Sequence, residues 1–427
     1  MSRQVFYGWY VLGGLFMVYA VSNGIANFTL PLLYPSLMEE FGWNQAEITR
    51  PAAIKFMFAS AYNLAVGFLL DRYSPRPLMA AGAVIMATGL ASMIFMDSLA
   101  YFTGAYLLLA FGLALCGLVP CMVTVSRWFT VYRGRAVGIL LMASSAGGAV
   151  LPLVIRGQLS EEDWQAALLT LSIIGFVGLL LPVLWPVRTR PSDLSTTPDG
   201  LATADGNPQQ SEPVGIFGGA SLATVARMPV FYLLLIATGI LWFCITGVLQ
   251  HQALYLGRDN GLDGGTLALV FSVFFWCSIV GKFAFGWLSD HFAKVNIMLL
   301  AVVNLMVGLM ILRFIESADL KLVYVYAAVY GIGFSGAFTM IQLMIAELFS
   351  GPTYGRILGI YVAVDTIAAG IGIAVIGEIR VAFDSYLPAI NLLLALVAVA
   401  FTCVLLVKRL STQRQAELVE EPLSKSA

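Results

Sequence analysis

The chain has 427 residues, 59% of them hydrophobic and 11% charged, with a formal net charge of -1. Soluble proteins carry about 25% charged residues, so these side chains cannot clothe a water-facing surface, and lipid is the expected solvent. The near-neutral charge gives no basic footprint for nucleic acid. The five cysteines (Cys116, Cys121, Cys244, Cys277 and Cys403) show no metal-ligand spacing.

Crossing about 30 Å of hydrocarbon takes about 20 helical residues, and twelve segments reach that length. In chain order they are 7–33, 46–70, 78–96, 100–126, 134–155 and 164–185, then 230–255, 267–288, 295–314, 323–348, 357–379 and 387–407. The first is too long for a signal core and has no small-x-small cleavage site, so it reads as a span. Between the sixth and seventh spans the sequence turns polar and rich in Pro, Ser, Thr and Gly, which predicts a flexible linker. The polar tail is expected to be disordered. The predicted organisation is a six-helix bundle over 1–187, a linker over 188–227, a second bundle over 228–410 and a tail over 411–427.

Placing both termini in the cytoplasm puts about 15 basic residues on that side, Arg72, Arg76, Arg127, Arg133 and Arg135 among them, against about six outside. The halves also repeat. Gly67-x-x-x-Asp71 recurs as Gly286-x-x-x-Asp290, offset by about 219 residues. Gly134-Arg135-x-x-Gly138-Ile139 recurs as Gly355-Arg356-x-x-Gly359-Ile360, offset by about 221. Two matches at nearly one offset imply duplicated bundles, an arrangement in which a site near mid-membrane is expected.

At these residues the chain resembles the major facilitator superfamily. The run from Gly67 through Asp71-Arg72 to Arg76 is similar to its cytoplasmic loop signature, with Ser74 where glycine is usual. The resemblance implies an all-α membrane protein of 12 transmembrane helices in two pseudo-symmetric six-helix bundles, with both termini cytoplasmic. A narrower likeness is to bacterial monocarboxylate transporter and oxalate:formate antiporter-like members. It is carried by Tyr7-Gly8-Trp9-Tyr10, Arg127-Trp128-Phe129 and Ala346-Glu347-Leu348-Phe349. In those proteins an arginine of the eighth helix binds the substrate carboxylate; here Lys282 holds that position, keeping the charge and losing the bidentate fork. The chain departs from animal monocarboxylate transporters in lacking a lysine on its first helix and in having Ser278 for an aspartate. Asp365 stands where the oxalate antiporter has lysine.

Lys282 and Asp365 are charges inside apolar spans, each costing on the order of 3 kcal/mol at a bilayer midplane. Lys282 is eight residues from Asp290, about 12 Å of helix, and Asp365 is nine from Arg356, about 14 Å. Equal depth makes a direct ion pair plausible. It reads either as a static fastening or as a substrate and proton site; a buried pair is weak evidence for stability, which favours function. Their repeat counterparts are Asn63 and Ser144.

Tyr19, Asn23 and Asn27 form one stripe at i, i+4 and i+8, lining a wet cavity or bonding between helices. Histidine as a residue type can titrate near physiological pH; His251, in the run Gln250-His251-Gln252, is either near substrate, as in related bacterial carriers, or an interfacial histidine. His291 reads as structural. Lys55 is expected to snorkel to water, or to meet Glu378 at an outer gate. Asp71, Arg72, Arg76, Arg135, Asp290 and Arg356 are expected to form a cytoplasmic gate without touching substrate.

There is no nucleotide-binding loop and no nucleophile–base set, so no enzyme and no cofactor is expected. The expected function is secondary active transport of a small organic anion, a proton-coupled monocarboxylate symporter using alternating access. The alternative is an exporter or antiporter of amphipathic or zwitterionic molecules on the same fold. The expected partners are the anion, a proton and the lipid bilayer, in a multi-pass, monomeric protein of the inner membrane.

Overall fold

The computed structural model describes residues 6–129, 132–197, 199, 216–217, 222–315, 319–349 and 354–424. In chain order the helices are α1 (Gly8–Asn23), α2 (Tyr34–Phe41), α3 (Gln45–Arg72), α4 (Pro75–Met93), α5 (Leu99–Cys116), α6 (Leu118–Trp128), α7 (Arg133–Val154) and α8 (Arg156–Ser160). They continue with α9 (Trp164–Leu184), α10 (Leu222–Val225), α11 (Pro229–Leu254), α12 (Gly264–His291), α13 (Lys294–Arg313), α14 (Leu320–Phe349), α15 (Tyr354–Phe383) and α16 (Leu387–Ser424). No strand occurs among the described residues. Among the described residues, eleven stretches are long and apolar enough to cross a membrane. The twelfth expected span is α3, whose 28 residues give about 42 Å of helix.

Two expected spans are interrupted, and proline accounts for the breaks. The first leaves α1 through a π-helical turn, Gly24–Thr29, and a 3-10 turn, Leu30–Leu33, before α2 begins; Pro31 and Pro35 each lack an N–H for the helical ladder. The fourth divides at Gly117 into α5 and α6, because Pro120 cannot donate to the preceding turn. The Cys116 carbonyl that is left faces Cys121 Sγ at 3.7 Å. Local chemistry sets the entries. Asn44 and Glu47 exchange side-chain-to-backbone hydrogen bonds at 2.9 Å to open α3, a capping box. Gly42, at φ +67°, closes α2 as a left-handed cap.

The chain divides into two compact units that do not coincide with the two sequence halves. One comprises Met1–Asn207 with Leu249–Trp276; the other comprises Pro208–Val248 with Cys277–Ala427. In the first, α1 crosses α7 so closely that a Cβ on Gly147 would overlap the Ala20 carbonyl oxygen. The Phe275 ring rests on Gly148 and lies 4.3 Å from the Phe28 ring, centroid to centroid. In the second, α15 meets α11 where Gly372 faces the Phe243 carbonyl. Arg313 Nε of α13 donates to Asn391 Oδ1 of α16 at 2.8 Å.

Most of the expected linker, residues 200–215 among them, lies outside the described residues. Its described parts are docked: Trp128 Nε1 donates to the Arg188 carbonyl at 2.8 Å, and the Ile216 and Phe217 N–H groups donate to the Glu347 and Leu348 carbonyls of α14. Of the expected tail over 411–427, residues 411–424 continue α16. Gln413, Arg414, Gln415, Ala416, Glu417 and Leu418 are good helix formers and prolong it. Large apolar side chains stay exposed along the spans, Phe95 at 78% and Phe283 at 71%. Such a surface suits lipid, and the protein is a multi-pass integral membrane protein.

Candidate functional site

Lys282 and Asp365 both lie in the second unit. Lys282, on α12, is 8% exposed, and its Nζ stands 4.8 Å from the centre of the Phe338 ring on α14, a cation–π arrangement. Phe338 is held edge-on by Trp242 of α11, ring centres 5.7 Å apart. Asp365, on α15, is 4% exposed and sits beside Thr238 of α11. Its Oδ1 is buried and has no hydrogen-bond partner. Ion pairs among the described residues include Lys294–Glu347 and Arg380–Asp384. Rise along a helix sets depth, while rotation sets the neighbours: the ammonium meets α14 and the carboxyl meets α11.

The helix-1 residues lie in the first unit. Tyr19 is buried, facing Ser144 and Cys121; Asn23 and Asn27 are half-buried. Asn27 falls within the π turn Gly24–Thr29, whose i→i+5 ladder departs from the α-helical spacing of Tyr19 and Asn23. The snorkelling expected of Lys55 is also corrected. At 2% exposure its Nζ donates inward, to the Ala26 carbonyl at 2.9 Å and Asn27 Oδ1 at 2.5 Å. Opposite, Gln250 Nε2 donates to the Asn27 carbonyl at 3.1 Å, and Tyr34 donates to Gln250 Oε1 at 3.0 Å, with the Tyr106 hydroxyl 3.1 Å beyond. Sequence reasoning singled out Lys55 and the polar run around His251 but not the network that joins Lys55 and Asn27 to Gln250, Tyr34 and Tyr106. His251 is buried in the same unit, 3% exposed.

The residues of the expected cytoplasmic gate have several different placements. Arg76 binds within the first unit, its guanidinium donating to the Val183 carbonyl at 3.1 Å and to that of Leu184, the terminal carbonyls of α9. Arg72 and Asp290 are exposed. Arg135 is exposed and lies over the Tyr132 ring at 5.7 Å. The side chains of Asp71 and Arg356 lie outside the described residues. His291 Nδ1 is 2.9 Å from the Trp287 carbonyl, in keeping with its structural reading. No group of His, Cys, Asp and Glu that could hold a metal occurs among the described residues. A cavity of about 270 Å³ in the first unit sets Arg258 among Glu39, Glu162 and Asp263, a lining that repels anions.

The sequence profile of the Major Facilitator Superfamily matches residues 15–257 and 252–426. Among curated proteins, the human Monocarboxylate transporter 11 is 28% identical over 71% of this chain and 60% of its own length. The Fujikurins efflux protein of Gibberella fujikuroi is 25% identical over 77% and 66%. The chain thus spans less than two thirds of either relative. In fold, the chain is similar to a bacterial homolog to the human lysosomal transporter Spinster, solved inward-facing and unoccupied. The TM-score is 0.75 at 14% identity, covering 97% of this chain and 99% of that one.

Proposed function

The chain belongs to the Major Facilitator Superfamily, a family of transporters and not of enzymes, and from that premise we propose that it is a secondary transporter moving a small monocarboxylate together with a proton. The observation that carries this reading is the pair of buried, oppositely charged residues on α12 and α15, with one Asp365 oxygen left without a hydrogen bond. Lys282 is the group for the cargo carboxylate, and Asp365 is the proton carrier. In the low-dielectric interior the two act on each other, since charges there interact far more strongly than in water. A proton on Asp365 removes the negative charge that competes with the cargo for Lys282. With anion and proton both bound, the unit holds an ammonium, a carboxylate and a neutral acid, and so carries no excess charge across the hydrocarbon.

Tyr19, Asn23 and Asn27 supply hydrogen-bond donors to the cargo, and His251 is a further proposed contact. Asp71, Arg72, Arg76, Arg135, Asp290 and Arg356 hold helix ends on the cytoplasmic side. We place the protein in the cytoplasmic membrane with both termini inside, working as a monomer by alternating access. The human relative's description as a monocarboxylate transporter supports the cargo class.

The test is uptake of labelled monocarboxylates into vesicles holding the purified protein, under an imposed pH gradient. Asp365→Asn is expected to lose proton-driven accumulation while keeping exchange, and Lys282→Gln to weaken anion affinity by about tenfold or more. Accumulation that survives in Asp365→Asn, or unchanged affinity in Lys282→Gln, refutes the respective role. The fungal efflux relative favours a second reading, export of amphipathic or zwitterionic molecules. Competition by hydrophobic cations, without competition by small carboxylates, would establish it.

A further inference from the structure

The proposed cycle leaves Lys55 unused. It is an ammonium on α3, 2% exposed, capped by the rings of Phe56 at 4.7 Å and Tyr106 at 5.5 Å, and the ion pairs among the described residues do not include it. Its hydrogen bonds go to neutral oxygens of the π turn, the Ala26 carbonyl and Asn27 Oδ1.

A lysine ammonium has three donors and no acceptor, so it can meet only the oxygen end of the Asn27 amide. That fixes the amide's orientation: Oδ1 faces Lys55, and the Nδ2 hydrogens face the other way. The Asn27 carbonyl is taken as well, by Gln250 Nε2 at 3.1 Å. Both kinds of acceptor on Asn27 are therefore engaged, and the end of its amide turned away from Lys55 carries only donors. Among the described residues no acceptor meets Asn27 Nδ2, and the residue is half-buried, leaving one side open to a bound molecule.

We infer that Lys55 is a positioning residue that turns Asn27 into a donor-only contact, so that the π turn accepts anionic, acceptor-bearing cargo and rejects donor-bearing cations. The inference rests on the proposed function, which sets Asn27 against the cargo. Without Lys55 the amide is free to flip, and its oxygen then repels a carboxylate.

The experiment measures binding of lactate, pyruvate and benzoate to the purified full-length chain by titration calorimetry, alongside thermal unfolding. For a carboxylate that binds wild type, Lys55→Gln is expected to weaken affinity about tenfold, and Lys55→Arg to hold it within about threefold. Asn27→Ala should lose a similar factor, and the Lys55→Gln/Asn27→Ala double variant no more than Asn27→Ala alone, because one residue acts through the other. Asn27→Asp guards against misfolding. It can pair with Lys55 yet offers no donor, so it should fold and bind more than tenfold more weakly. Lys55→Gln with wild-type affinity and only a lowered melting temperature overturns the inference, as do additive losses in the double variant or retained affinity in Asn27→Asp. Should none of the three carboxylates bind wild type, the proposed function fails and takes this with it. If Lys282→Gln abolishes binding while Lys55→Gln leaves it intact, the role of Lys55 alone falls.

Discussion

Lys282 and Lys55 are both ammonium groups buried on transmembrane helices, and their surroundings differ. Lys282 stands over Phe338 in the unit that also buries Asp365, while Lys55 is bound to two oxygens of a helical turn. Both lysines and Asp365 were visible in the sequence as charges in apolar spans, because no composition argument can hide them. Their neighbours were not visible, since a helix's rotation about its axis leaves no mark on residue spacing alone. Asp263 shows the same logic outside the membrane. The Thr266 hydroxyl, at 2.5 Å, and then the Thr266 N–H, at 2.9 Å, hydrogen-bond its carboxylate at the start of α12 and hold it below the ordinary aspartate value of 3.8. A depressed folded-state value stabilises fully above the unfolded value and is lost as pH falls through the folded one. The melting temperature in detergent is therefore expected to fall below about pH 4 more steeply in wild type than in Asp263→Asn; equal slopes would contradict this.

At the scale of elements, glycine, proline and arginine decide how the helices meet and end. The approach of α1 to α7 depends on hydrogen at Gly147, where a methyl group meets the Ala20 carbonyl. Gly147→Ala is expected to cost about 1–3 kcal/mol, read as a lower melting temperature, and Gly13→Ala, with nothing near its added carbon, to cost far less. Arg76 was read from its motif as a gate residue, and the structure shows it bound to the last carbonyls of α9. Cations suit that end of a helix dipole. Arg76→Ala should lower stability by about 1 kcal/mol, with Arg76→Lys recovering part of it; a melting temperature equal to wild type in Arg76→Ala would remove the capping role.

For the whole molecule, the twelve-span reading and the all-helical class follow from length and apolarity, and both hold. The two compact units, however, are not the sequence halves, because Leu249–Trp276 packs with the first. A fragment ending at residue 207 lacks Gln250 and Phe275, and so loses the Gln250 hydrogen bonds to Tyr34 and to the Asn27 carbonyl. The fragment is expected to unfold at a lower temperature than the full chain in the same detergent, and co-expression with residues 208–427 to restore the difference. A fragment as stable as the whole would show that the segment adds nothing.

Residue order by itself determined the solvent, the number of spans, the duplication and the buried charges, because each depends on composition or spacing along one dimension. Only the tertiary structure decided that Lys55 turns inward to Asn27, that Lys282 and Asp365 face different helices, and that part of the C-terminal half joins the first unit. Those outcomes depend on how each helix is rotated against its neighbours, which is set by the packing of many side chains at once.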